Sequence, residues 1–295
     1  MKTLFCSLVI FGAALSAVSA PLTRGNVSSA ITTVPSSTHV FLLVEENHSY
    51  SSVIGSSSMP YLNSLASKYG LATQYYANTH PSIGNYFMLT AGAVITNNDS
   101  LCSTITNDNV VRHLLTAGRT WKSYAESLPS VGYTGCCSVA YAKRHNPFAY
   151  FSDVANSSEK NNLVPFTQFS KDRINGTLPQ FSFIVPNLND DAHDGTLTQA
   201  DNWLKTNIAP LLATSMFKAG GTGILIIVFD ESVDSDTAHG GGHVAALVIG
   251  PKVKPGSKTA TLYQHQNTLK TLMQALGVKT YPGAAASAPA ITGVF

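Results

Sequence analysis

Two acidic runs stand directly after apolar runs. Glu45-Glu46-Asn47-His48-Ser49-Tyr50 follows Val40-Phe41-Leu42-Leu43-Val44, and Asp230-Glu231-Ser232 follows Ile224-Leu225-Ile226-Ile227-Val228-Phe229. Carboxylate and amide oxygens are hard donors that suit a divalent cation. Either run alone is as readily a strand-end or helix-cap feature. Their recurrence shifts the weight towards one shared cation. Adjacent side chains of a strand point to opposite faces, so the donors can converge only where each strand gives way to a turn.

A third segment, Asn78-Thr79-His80-Pro81-Ser82-Ile83-Gly84-Asn85-Tyr86, adds a hydroxyl. Ser82 follows a proline and opens a predicted helix. Free backbone N–H groups and the helix dipole favour an anionic phosphate there. A cation would lower the pKa of such a hydroxyl and make it a nucleophile. The commoner duty of a serine at that place is simply to cap the helix. Histidines supply the remaining acid–base chemistry: His145 in Lys143-Arg144-His145-Asn146-Pro147, His193 two residues after Asp191, and His243 after a glycine run. Each of them taken singly is more often a hydrogen-bonded structural residue. His39, His113 and His265 lack a comparable context and read as structural.

These side chains need a frame. The two apolar runs above, together with Phe181–Val185 and Val244–Ile249, read as buried strands, and 119–124 as a further strand. Helices are expected over 60–68, from Ser82 to a stop at Gly92, over 110–117 with Asn109 as cap, over 198–219 with a break at Pro210, and over 265–276. Residues 127–180 read as an irregular excursion without a core of their own. The tail after Tyr281 reads as an extended surface segment. Strands alternating with helices predict an α/β fold whose ligands sit beyond the carboxyl ends of the strands.

In that order the motifs become specific. Glu46-Asn47-His48-Ser49-Tyr50, His80-Pro81-Ser82-Ile83-Gly84-Asn85-Tyr86, Pro186-Asn187 with Asp191 and His193, and Asp230-Glu231-Ser232 resemble one family over residues 39 to about 275. It is the phosphoesterase family of bacterial acid phosphatases and phosphocholine-type phospholipases C, within the alkaline phosphatase superfamily. The resemblance implies a three-layer sandwich with a central, mainly parallel sheet between helices. It also implies one divalent metal ion held by Glu46, Asn47, Ser82, Asp230 and Glu231, with Ser82 as nucleophile. His145 and His193 would meet the phosphoryl or leaving group, and Asp191 would orient or assist. The cation would be calcium, magnesium, manganese, zinc or iron. The chain is short beside the phospholipase C branch, which favours hydrolysis of a small-molecule phosphate monoester through a phosphoserine. The rival activity is a phosphodiesterase or phospholipase C on the same scaffold. A secreted metal- or phosphate-binding protein without catalysis is a more remote alternative.

Composition bounds the rest. Residues 1–20 read as a signal peptide: Lys2, an apolar stretch, then Val18-Ser19-Ala20 as cleavage point. That leaves 21–295 as a single phosphoesterase domain, secreted and extracellular. With a net charge of +2, 12% charged residues and no long basic run, a nucleic-acid partner is not expected. No other stretch is long and apolar enough for stable membrane insertion. Three cysteines follow the signal segment, and Cys102 is expected to pair with Cys136 or Cys137. Asn26, Asn98, Asn156 and Asn175 lie in glycosylation sequons, while the sequon at Asn47 falls in the metal motif and should stay bare.

Overall fold

The computed structural model of the chain describes Met1, residues 33–136 and residues 138–295. The strands are β1 (Val40–Glu45), β2 (Gly70–Ala72), β3 (Trp121–Ala125), β4 (Leu163–Pro165), β5 (Phe181–Val185), β6 (Ile224–Phe229), β7 (Ala246–Ile249) and β8 (Lys258–Thr259). The α-helices are α1 (Tyr50–Val53), α2 (Pro60–Lys68), α3 (Ser82–Ala91), α4 (Val110–Thr116), α5 (Ser152–Ala155), α6 (Thr167–Asn175), α7 (Leu197–Leu212) and α8 (His265–Ala275).

The strands form one eight-stranded sheet in the order β4-β3-β5-β1-β6-β7-β2-β8. Pairing is parallel from β4 through β6. Only β7 runs against its neighbours β6 and β2. The middle strands β1, β5 and β6 are buried along their whole length, which is why they read as unbroken apolar runs.

Register separates the two faces. Leu42 pairs with Phe183, whose ring meets Tyr86 of α3 at 6.3 Å. Phe41, one residue earlier and on the opposite face, meets Phe169 of α6 at 6.4 Å. The sheet is therefore covered on both sides, and the expected three-layer α/β sandwich is what the chain forms. α3 packs against α8, and α2 against α7.

Local signals explain several boundaries. The Asn109 side chain accepts from Val111 N and caps α4. Gly92, at φ 65°, ends α3 in the left-handed conformation that glycine enters without a Cβ clash.

Three expectations need correction. Residues 127–180 are not merely irregular: they contribute the edge strand β4 and helix α6. Helix α7 passes through Pro210 and ends at Leu212, short of the expected 219. Pro210 forfeits one bond to the carbonyl four residues back, yet the helix continues two residues past it. The tail is no surface strap, since Ile291, Val294 and Phe295 are buried in the core.

All these elements belong to the unit Ile31–Phe295. Among the described residues no helix is long and apolar enough to cross a membrane. The signal-peptide reading, the sequon at Asn26 and the alternative pairing through Cys137 lie outside the described residues.

Candidate active site

The carboxyl ends of β5, β1 and β6 are tied together just past the sheet. Glu46 N donates to Asp191 O at 2.9 Å, and Asp230 N to Glu45 O at 2.9 Å. Asn47 then turns with φ 43°, a left-handed conformation that asparagine tolerates better than most residues. This turn brings Asn47 N to Asp230 Oδ1 at 3.1 Å. Glu231 N donates to the same oxygen at 2.6 Å.

Ser82 enters from α3. The loop before it is fixed by Asn85, whose Oδ1 accepts from Asn78 N at 2.9 Å and Thr79 N at 3.2 Å while its Nδ2 donates to Thr79 O at 2.7 Å. Ser82 Oγ lies 3.1 Å from Glu46 Oε2, 3.1 Å from Glu231 Oε1 and 3.4 Å from Asn47 Oδ1. The inward atom of the Asn47 amide is 2.9 Å from Glu46 Oε2 and 3.2 Å from both Glu231 Oε1 and Asp230 Oδ1. As nitrogen it has two hydrogens to share among these three oxygens, and as oxygen it adds a further donor for a cation.

Burial crowds like charges here. Burial, followed by the charges of Asp230 and Asp191, raises Glu46 well above the usual carboxylate range. Burial and then Asp230 push Glu231 up to about 9. Burial pushes Asp230 to about 6 and Asp191 to about 7. Asp230 Oδ2 is buried without a hydrogen-bond partner. Several buried carboxyls, an amide and a hydroxyl within bonding reach of one another form a donor set that a divalent cation fits, because a cation stabilises the ionised carboxylates that burial disfavours. Glu46, His145 and His193 form a second, mixed grouping, with one ligand atom each within 4.8 Å of one another.

The histidines occupy different depths. His145 is buried, its Nδ1 3.3 Å from Asp191 Oδ2 and its Nε2 3.3 Å from Glu46 Oε1. Burial, then the Arg144 charge, hold it well below the usual imidazole value. His193 is half-buried, with Nδ1 at 2.7 Å from Asp194 Oδ1 and Nε2 at 3.2 Å from an Arg144 guanidinium nitrogen. Its N–H donates to Asp191 Oδ1 at 2.8 Å. His243 is not with them; it stacks on Tyr50 at 4.3 Å and bonds Thr73 O at 3.1 Å.

Four neighbours of the cluster escaped the sequence. His80 Nδ1 lies 2.7 Å from Glu231 Oε2, and its Nε2 lies 3.0 Å from Asp236 O. His265, read as structural, donates from Nε2 to Asp230 O at 2.6 Å, while its Nδ1 meets the Tyr75 hydroxyl at 3.1 Å. The Tyr86 hydroxyl donates to Glu46 Oε1, and its ring stacks on His145 at 5.0 Å. Asp99 corrects the expectation of free amides at the start of α3, because Ile83 N–H donates to Asp99 Oδ1 at 3.1 Å. Only the adjacency of His80 and Tyr86 to Ser82 offered a signal in advance.

The model of the Phosphoesterase family matches residues 56–279, well over half of the chain. The chain belongs to the phosphoesterase family. It is 35% identical over 272 residues to a phosphatidylinositol-3-phosphatase of Mycobacterium tuberculosis, covering 91% of this phosphoesterase and 86% of that protein. It is 31% identical to a probable acid phosphatase of Kluyveromyces lactis, covering 79% of this chain but 56% of that one. The phosphoesterase thus spans little more than half of the yeast relative. Among solved structures, a protein in the alkaline phosphatase superfamily from Vibrio parahaemolyticus superposes with a TM-score of 0.56 at 15% identity, over 87% of this chain and 71% of that one, a likeness of fold. This phosphoesterase is a phosphoric ester hydrolase.

The Cys102–Cys136 bridge is present, as one of the two expected pairings. It links the loop carrying Asp99 to the excursion carrying Arg144 and His145. Asn98, Asn156 and Asn175 are exposed.

Proposed function

We propose that this phosphoesterase is a secreted, metal-dependent acid phosphatase that hydrolyses phosphate monoesters through a phosphoserine at Ser82. One observation carries the reading: the Ser82 hydroxyl points into a set of buried acids, with Glu46 Oε2 and Glu231 Oε1 each 3.1 Å away. Glu46, Asn47, Asp230 and Glu231 would hold the cation together with Ser82. When bound, a divalent cation acidifies a hydroxyl and offsets charge on phosphoryl oxygens.

The chain's own groups account for the remaining work. Ser82 Oγ attacks phosphorus in line with the departing oxygen, and its proton passes to one of the two carboxylates that it already contacts. His193, the half-buried histidine of the pair, would give a proton to the leaving oxygen and then take one from the water that attacks the phosphoserine. Phosphate leaves as the bond from phosphorus to Ser82 Oγ breaks, and the proton held by the carboxylate returns to Ser82. Asp191 fixes the backbone of His193 through the bond to its N–H. Tyr86 and His80 anchor the carboxylates of Glu46 and Glu231, which keeps both oriented towards Ser82. Burial of Ser82, Glu46 and Asp230 excludes bulk water and strengthens each of these interactions.

The Cys102–Cys136 bridge supports an oxidising compartment, in keeping with residues 1–20 as an export signal and 21–295 as one phosphoesterase domain. Glycans on the exposed Asn98, Asn156 and Asn175 belong to the same reading.

The test is a substrate panel on chelator-stripped protein, with calcium, magnesium, manganese, zinc and iron restored singly. The panel comprises an aryl phosphate monoester, phosphatidylinositol 3-phosphate, a bis-aryl diester and phosphatidylcholine. Cation-dependent cleavage of the monoesters is expected. Preferential cleavage of the diester or of phosphatidylcholine would instead establish the phosphodiesterase reading, and phosphate binding without turnover of any ester would establish the binding protein.

A further inference from the structure

The backbone amide that follows Ser82 already meets an anion of the chain itself. Asp99 Oδ1 accepts from the Ile83 amide at 3.1 Å. Its Oδ2 lies 3.6 Å from Arg144 Nε, which is buried without a hydrogen-bond partner. The amide after the nucleophile and an adjacent guanidinium are the two groups that an incoming phosphate would claim. A carboxylate resembles a phosphate in both respects that matter here, charge and acceptor oxygens.

The carboxylate is held there by several separate contacts. Asn97 Nδ2 donates to Thr79 Oγ1 at 2.8 Å, which pins the loop to the segment leading into α3. A Cβ at residue 84 would come within 2.4 Å of Asn97 Oδ1 and 2.6 Å of Thr79 Cγ2, so the loop lies close against the first turn of α3 where Gly84 has no side chain. Leu101 N donates to Asn98 O at 2.9 Å, closing a turn around Asp99. Cys102, three residues on, is bridged to Cys136.

We infer that Asp99 is a specificity-determining residue, an internal competitor that a phosphate must displace from Ile83 N–H and Arg144 in order to bind. This rests on the phosphoryl-transfer reading given above. Asp99 and a dianionic phosphate cannot share one amide donor, and their charges repel each other. The exchange weakens retention of the substrate's phosphate and of the inorganic phosphate product alike, which favours release after turnover.

The experiment compares wild type with Asp99→Asn, which keeps an acceptor for the Ile83 amide but removes the charge, and with Asp99→Ser in case the first variant folds poorly. Two quantities are read: the inhibition constant of inorganic phosphate against turnover of p-nitrophenyl phosphate, and the calorimetric Kd of inorganic phosphate. Both should fall roughly tenfold in the variants, the size of one screened like charge, with KM falling further than kcat. Phosphate affinity equal to or weaker than wild type in a variant with wild-type melting temperature would overturn the inference, and would make Asp99 a staple of the loop. Failure of the wild type to hydrolyse any phosphate ester would remove the underlying phosphatase reading instead, and the calorimetric arm does not depend on turnover.

Discussion

Ser82 Oγ and Glu231 Oε1 lie 3.1 Å apart, although 149 positions separate them in the chain. Side chains so distant in sequence meet only because α3 and the end of β6 are placed by the sheet. Ser82→Ala should lower kcat/KM by roughly 10⁴ or more, as loss of an activated nucleophile does. Far-UV circular dichroism and melting temperature should stay close to wild type. Activity within tenfold of wild type would remove Ser82 from its proposed role.

Tyr86 holds the other oxygen of Glu46 and packs flat on His145, with an interplanar angle of 8°. A hydroxyl in that position would orient Glu46 as a ligand without itself binding the proposed cation. Tyr86→Phe should weaken divalent-cation affinity by roughly 10- to 100-fold, measured by isothermal titration on chelator-stripped protein. An unchanged cation Kd would count against Glu46 as a ligand.

Glu45 has no such compensation. It is fully buried at the end of β1, and neither carboxyl oxygen has a hydrogen-bond partner. Burial, followed by the charges of Asp191 and Asp190, raises it well above 4.5. An acid raised on folding leaves stability intact below its unfolded pKa and erodes it as pH climbs towards the folded value. Glu45→Met should therefore stabilise the protein by roughly 2 kcal/mol at neutral pH and have far less effect near pH 4. Urea midpoints at the two pH values decide it; equal shifts at both would contradict the account.

Asp172 has the opposite sign. Burial pushes its carboxyl up, but bonds from Lys122, Gln168 and Tyr124 outweigh burial and leave it below 3.8. Lys122 Nζ lies 2.6 Å and the Tyr124 hydroxyl 2.7 Å from Oδ2. A depressed acid contributes stability above its unfolded pKa and loses it as pH falls through the folded value. Asp172→Asn should cost about 2 kcal/mol at pH 7, and the gap to wild type should narrow below pH 3.8. A constant gap in urea titrations across that range would point to shape, not charge.

Much of the site was legible because its residues sit where patterned elements end. The runs that became β1 and β6 fixed where Glu46, Asn47, Asp230 and Glu231 would emerge, and the proline before Ser82 marked the start of α3. Strands β2, β4 and β8 are three, three and two residues long, too short for any period to show. Contacts such as His265 with the Asp230 carbonyl, or Asp99 with the Ile83 amide, join segments whose sequences carry no trace of each other. The buried tail was misread for a related reason: alanine, proline and glycine near a terminus look alike whether or not Ile291 and Phe295 find a groove.

The in-register parallel pairing of β1 with β5 and β6 has a consequence for how this protein fails. The candidate ligands are mounted on the most deeply buried part of the molecule, not on a detachable flap. Amide protons of Leu42, Leu43, Ile226 and Ile227 should exchange with deuterium only through global opening. Heating or denaturant should then extinguish turnover and the protection of these four amides along a single curve, without a folded but inactive interval.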